Sequence, residues 1–255
     1  MTARRAAAPA MAPLAIRTWL DGAPPPGGSV AETAAVVIDV LRATTTVATA
    51  LANGAPYVAG FAAIDDAFAY RAAREEEGEL PLVGGERGGL KIAGFDLGNS
   101  PREYNLANVG GRPVVLCTTN GTAAWERCRG AKALYAAAFV NAGATAAALA
   151  KTATPVTLCC AGKEGAPSLE DACCAGLVAT LLTQAQPYEP DDATAMARLC
   201  WERHKKEVVR MLRLCSHGRY LASLGFDEDL VYCGGVNTLP VTGVRGPEDT
   251  LVLAG

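Results

Sequence analysis

The sequence predicts an α/β fold, with a mainly parallel sheet and helices packed on it. Two observations carry that expectation: short runs rich in Val, Ile and Leu recur along the chain, and Ala-rich stretches of helical character lie between them. Alternation of apolar runs with helical stretches is the pattern of βαβ units, in which both sheet faces are covered.

Taken in order, the runs 35–40, 57–61, 113–118, 133–137 and 155–160 read as short buried strands. Helices are expected at 44–52, 64–77, 121–128, 141–151, 168–184 and 192–214. Ser168 followed by Glu170 and Asp171 has the form of a helix start, with a capping hydroxyl and acids where the helix dipole favours them. Two stretches interrupt the alternation. Residues 84–105 carry Gly84, Gly85, Gly88, Gly89, Gly94 and Gly98 among charges and amides, which predicts a long ordered loop built for close backbone approach. Residues 186–192 are rich in Pro and acid and read as a linker, so the unit 14–255 is expected to be one domain or two closely packed subdomains meeting there. The tail 226–255 reads as an irregular cap, and residues 1–13, with no continuous apolar core, as a flexible extension rather than a signal peptide.

Composition excludes several classes. A net charge of −3 offers nothing like the basic footprint of a nucleic-acid binder, so an anionic partner must be held by a local cluster of cations. No run approaches the ~20 apolar residues of a membrane helix. Nine cysteines, several of them in apolar runs, imply reduced, buried thiols and a cytoplasmic protein. With only His204 and His217 in the chain, structural zinc has little to bind to.

In a parallel sheet ligands sit beyond the carboxyl ends of the strands, so the residues just after each run are the candidates for chemistry. Asp39 ends a strand, and Arg42 with Thr44–Thr46 opens a helix: the carboxylate can bind Mg²⁺ or attack phosphorus while arginine and helix start hold phosphoryl oxygens. An N-capping aspartate beside a surface arginine is the plain alternative. Thr118, Thr119, Asn120, Gly121 and Thr122 form a second strand-to-helix turn suited to cradling phosphate. Lys163 offers a point charge, and Glu170 and Asp171 offer metal ligands. Arg87 and Lys91, spaced by glycines, belong to a preformed anion site; His217 has the chemistry of a general acid and Arg219 that of another clamp.

Several mechanisms are excluded by what is missing. None of the nine cysteines is followed six positions later by arginine, as a cysteine-phosphatase loop requires. Leu41 stands where an aspartate phosphatase of the haloacid dehalogenase type needs its second Asp, and no P-loop motif occurs.

Read together, Val37-Ile38-Asp39-Val40-Leu41-Arg42-Ala43-Thr44-Thr45, Gly84-Gly85-Glu86-Arg87, Gly94-Phe95-Asp96-Leu97-Gly98-Asn99-Ser100-Pro101, Thr118-Thr119-Asn120-Gly121-Thr122, Cys160-Ala161-Gly162-Lys163-Glu164-Gly165 and Ser216-His217-Gly218-Arg219 resemble the 2-phosphosulfolactate phosphatase family. The resemblance runs from about residue 35 to about 225. It implies an α/β fold of its own topology, Mg²⁺ dependence, and hydrolysis of 2-phosphosulfolactate to sulfolactate and phosphate, a step of coenzyme M biosynthesis. Such a substrate carries phosphate, sulfonate and carboxylate, and Arg42, Arg87, Lys91, Lys163 and Arg219 are the cations available to meet it. A non-catalytic anion sensor and a phosphotransferase with an acceptor other than water remain open on the residues alone, as does a homo-oligomer.

Overall fold

A computed structural model describes residues 12–24 and 27–254. The extension expected at 1–13 lies almost wholly outside them. In chain order the strands are β1 (Leu14–Trp19), β2 (Ala34–Ile38), β3 (Val58–Phe61), β4 (Leu82–Arg87), β5 (Leu90–Lys91), β6 (Val114–Cys117), β7 (Ala133–Ala137), β8 (Val156–Cys160), β9 (Tyr188–Pro190), β10 (Gly243–Arg245) and β11 (Leu251–Leu253). The helices are α1 (Ala43–Ala52), α2 (Ile64–Glu76), α3 (Leu106–Val109), α4 (Gly121–Arg127), α5 (Ala142–Ala150), α6 (Leu169–Ala185), α7 (Asp192–His204), α8 (Val208–Leu214), α9 (Ser216–Ser223) and α10 (Asp227–Cys233).

All eleven strands join one sheet in the order β5-β4-β6-β3-β11-β10-β7-β2-β8-β1-β9. It is two parallel halves joined by a seam. On one side β7, β2, β8, β1 and β9 pair in parallel; on the other β3, β6 and β4 do. The hairpin β10–β11 runs antiparallel to β7 on one side and to β3 on the other, meeting β3 through the single register pair Leu251↔Val58. Every residue of β2 is buried, as a central parallel strand covered on both faces must be. Apolar residues of β2, β7 and β8 face α5 and α6 in one core cluster, and those of β2, β3 and β6 face α1 and α4 in another.

Three expectations change. The 186–192 segment contains β9, which pairs with β1 and extends the sheet. The single helix expected over 192–214 is two: the charged residues Lys205, Lys206 and Glu207 interrupt the apolar pattern, Glu207 leaves helical geometry at φ −141° and ψ 41°, and Val208, Met211 and Leu212 beyond it are buried. The tail is no irregular cap, since it supplies both α10 and the seam hairpin. The glycine-rich excursion is ordered by pairing: β4 and β5 form a hairpin turning at Gly88 and Gly89, whose φ values of 58° and 78° suit a tight primed turn. Gly85 lies so close to β6 that a Cβ there would sit 1.9 Å from the Cys117 carbonyl oxygen.

Candidate active site

The strand-end loops of both half-sheets open on one cleft of about 390 Å³. It is lined by Asp39, Leu41 and Arg42 after β2, by Glu86, Gly88 and Gly89 of the β4–β5 hairpin, and by Asn99. Thr119 and Asn120 after β6, Lys163 and Glu164 after β8, and His217, Tyr220 and Leu221 of α9 complete it.

Asp39 lies at the end of the central strand. Its Oδ1 accepts the Ala43 amide at 3.2 Å, and burial, reinforced by the charges of Glu86 and Glu170 and opposed by that amide and by Arg42, pushes its pKa up to about 7. Gly121 is what lets α4 approach: a Cβ there would stand 2.5 Å from the Ala43 Cβ and 2.8 Å from Asp39 Oδ2. The three threonines of the helix start are turned inward. The Thr44 hydroxyl lies within donating distance of the Asp39 and Ala137 carbonyls, at 2.8 and 2.7 Å, while Thr45 donates to Val40 and Thr46 to Asn99, so these hydroxyls fasten α1 to the strand-end loops.

The proposed phosphate turn is partly spoken for. Thr118 and Thr122 are buried and bonded to each other, with Thr118 Oγ1 accepting the Thr122 amide at 3.2 Å and Thr122 Oγ1 donating to the Thr118 carbonyl at 2.6 Å. The Thr119 amide donates to Glu86 Oε1 at 2.9 Å, while Glu86 Oε2 accepts the Gly89 amide at 2.8 Å. Thr119 and Asn120 reach the cleft.

Of the predicted cations, Arg42 and Lys163 line the cleft; Arg87, Lys91 and Arg219 do not. Arg87 donates to the Glu86 and Ala62 carbonyls at 2.8 and 2.6 Å and lies 3.3 Å from Cys117 Sγ. Lys91 is exposed on β5, and Arg219 turns back to the Leu214 carbonyl. Lys163 lies 5.0 Å from the centroid of the Tyr220 ring, whose hydroxyl donates to Gly88 at 3.0 Å. His217 faces the cleft with Nδ1 buried and unpartnered. Burial lowers its pKa, helped by Lys163 and Arg42 and opposed by Glu170 and the Leu41 carbonyl.

The three predicted metal ligands are close enough for their charges to act on one another, but only one reaches the cleft. Asp39 lines the cleft, whereas Glu170 and Asp171 are buried in the first turn of α6 behind it. Asp171 accepts the Val40 amide at 2.8 Å and the Gly162 amide at 3.2 Å, so its carboxylate ties together the loops after β2 and β8. Burial and the neighbouring Asp39 and Glu170 charges hold its pKa well above the usual carboxylate range. Ser168 stands at the N-cap position of α6 without making a side-chain capping bond. Among the described residues, no group of three or more His, Cys, Asp or Glu side chains is arranged to hold a metal ion.

Of the charged and amide side chains at the site, sequence reasoning passed over four. Glu86 and Asn99 lie inside motifs already singled out, where a charge and an amide between glycines were the available signal. Glu164 flanks Lys163. Asp229, which receives Arg42 Nη1 at 2.7 Å, sits in the tail with no local pattern to mark it.

Acids, cations and amides converging at strand ends give this α/β protein one polar candidate cleft. The comparisons with known proteins make that class specific. The model of the 2-phosphosulpholactate phosphatase family matches residues 25–245, and the chain belongs to that family. It is 42% identical over 218 residues to a probable 2-phosphosulfolactate phosphatase of Symbiobacterium thermophilum, covering 85% of this chain and 93% of the relative. A protein of the same name from Synechococcus sp. strain RCC307 is 43% identical over 215 residues, 82% of this chain and 87% of the other. One from Synechocystis sp. strain PCC 6803 is 42% identical over 202 residues, with 78% and 83% covered.

Proposed function

We propose that this cleft hydrolyses 2-phosphosulfolactate to sulfolactate and phosphate with the help of Mg²⁺. Family membership supports the phosphoric monoester hydrolase reading, and the relatives' shared name supports the substrate.

The observation that carries the metal is a charge imbalance. Glu86 and Glu164 line the cleft with Asp39, which carries its charge fully above about pH 7, against Arg42 and Lys163, and Arg42 is already paired with Asp229. A polyanion would be repelled from such a site unless a divalent cation joined it. Mg²⁺ asks little of a protein: one or two carboxylates suffice, with water and substrate phosphate supplying the rest. Asp39, Glu86 and the Asn99 Oδ1, a buried oxygen with no hydrogen-bond partner, fit that demand; of the set expected from sequence, Asp39 is retained, while Glu170 and Asp171 do not line the cleft. Bound there, Mg²⁺ would supply charge neutralisation for the phosphoryl oxygens.

The chain's own residues do the remainder. Arg42 and Lys163 orient the anionic groups, and Thr119 and Asn120 border the phosphoryl position. The lowered pKa of His217 leaves its ring neutral near pH 7, which suits a base rather than the general acid first expected. His217 lines the cleft and is the side chain placed to accept a proton from the attacking water. The new O–P bond forms as the ester O–P bond breaks, and the departing alkoxide takes its proton from solvent.

The test is phosphate release from 2-phosphosulfolactate by the purified chain and by Asp39→Asn. The folded variant is expected to lose at least ~100-fold in turnover, because it removes a charge at the reacting centre. A near-wild-type rate would reduce Asp39 to a helix cap.

A further inference from the structure

Arg42 reaches the cleft from a buried position, and what holds it there lies outside the residues assigned to the reaction so far. Asp229 of α10 is 1% exposed and Arg42 2%. The Asp229 carboxylate is shared between two elements: Oδ2 accepts Arg42 Nη1 at 2.7 Å, and Oδ1 accepts Ser100 Oγ at 2.7 Å. On its other edge Arg42 donates Nη2 to the Gly89 carbonyl at 2.7 Å, and its guanidinium carbon lies 4.3 Å from the centroid of Phe226. A guanidinium carries more N–H donors than these two acceptors consume, and the group lines the cleft.

Two consequences follow from elementary chemistry. A buried arginine bonded to a buried aspartate enters the protein as a neutral unit, so its grip on an anion rests on directed N–H donors rather than on net charge. Such donors recognise a tetrahedral or planar anion only if they are fixed beforehand, since a long side chain left free must be ordered at the moment of binding.

We propose that Asp229 is a positioning residue that fixes the Arg42 guanidinium for the phosphoryl group, with Ser100 fixing Asp229 in turn. The assignment rests on the phosphatase reading above and deepens it. It makes the C-terminal segment part of the site although Asp229 stays behind Arg42.

Calorimetric titration of inorganic phosphate into the full-length protein in Mg²⁺ buffer tests it, using Asp229→Asn, Ser100→Ala, Arg42→Lys and the double variant Arg42→Lys/Asp229→Asn. Asp229→Asn is expected to weaken phosphate binding by about tenfold or more, and Ser100→Ala less and in the same direction. Because both side chains act through one guanidinium, Asp229→Asn should add less than about twofold on top of Arg42→Lys. A merely structural role would lower the unfolding temperature and the competent fraction, leaving the dissociation constant of the folded molecules unchanged. Wild-type affinity in folded Asp229→Asn overturns the assignment, as do losses that multiply in the double variant. If Asp229→Asn does not fold, wild-type affinity in Ser100→Ala overturns it. Failure of the wild type to release phosphate from the ester would instead count against the phosphatase reading, because the titration measures binding without turnover.

Discussion

At the scale of single residues, the proposed chemistry centres on a carboxylate whose burial disfavours its charged form. Asp39 has its pKa pushed from 3.8 up to about 7, chiefly by burial. Between those values the native protein binds a proton that the unfolded chain has lost, so this group's contribution to stability falls as pH rises through that window. In chelator, Asp39→Asn should therefore gain stability relative to wild type between pH 5 and pH 8, by on the order of a few kcal/mol. Thermal unfolding at both pH values checks this, and curves that stay parallel would mean that Asp39 ionises freely. Cys117 supplies the contrasting case. It begins the turn beside the cleft and lies 3.3 Å from Arg87, yet burial outweighs the arginine and raises its pKa. It is therefore a poor nucleophile. Cys117→Ser should retain activity within roughly tenfold; a folded but inactive variant with a trappable phosphocysteine on the wild type would contradict that.

At the scale of elements, the site depends on α1 and α4 meeting closely enough to bring loops from the two half-sheets together. Gly121→Ala would place a methyl against the Ala43 Cβ and Asp39 Oδ2, both nearer than van der Waals contact allows. Overpacking of this kind costs about 1–3 kcal/mol, and here it would also displace the carboxylate. Denaturant unfolding together with turnover should show loss of both stability and activity, whereas a variant stable and active as wild type would mean that the two helices separate freely. Element by element, the sequence is legible where one local signal dominates. The apolar runs at β2, β3, β6, β7 and β8 carry their own burial pattern, and each was expected within two residues of its observed ends. The β10–β11 seam was not legible, because its three-residue strands are defined by pairing with distant β7 and β3 rather than by local periodicity. The site divides the same way. Asp39, Arg42, Thr119, Asn120, Lys163 and His217 stand in strand-end or glycine-rich contexts that signal chemistry, and the fold brings them to one cleft. Arg87, Lys91 and Arg219 carry the same kind of signal but turn aside, since side-chain direction is set by neighbours that only the folded chain supplies.

At the scale of the whole molecule, a net charge of −3 leaves the chain nearly neutral, and most of its charged residues lie outside the cleft. All nine cysteines are free thiols, and among the described residues no helix is long and apolar enough to cross a membrane. The seam hairpin and α10, both from the C-terminal tail, close the sheet and anchor Arg42, so fold and site are completed by the same last segment. The cleft presents more acid than base, and the proposed hydrolysis relies on a divalent cation making up the difference. Phosphate release from 2-phosphosulfolactate is therefore to be measured on the purified protein stripped with EDTA, before and after Mg²⁺ is restored. Release that vanishes in chelator and returns with Mg²⁺ is the predicted result; full activity in excess chelator, or none with Mg²⁺ present, would contradict it.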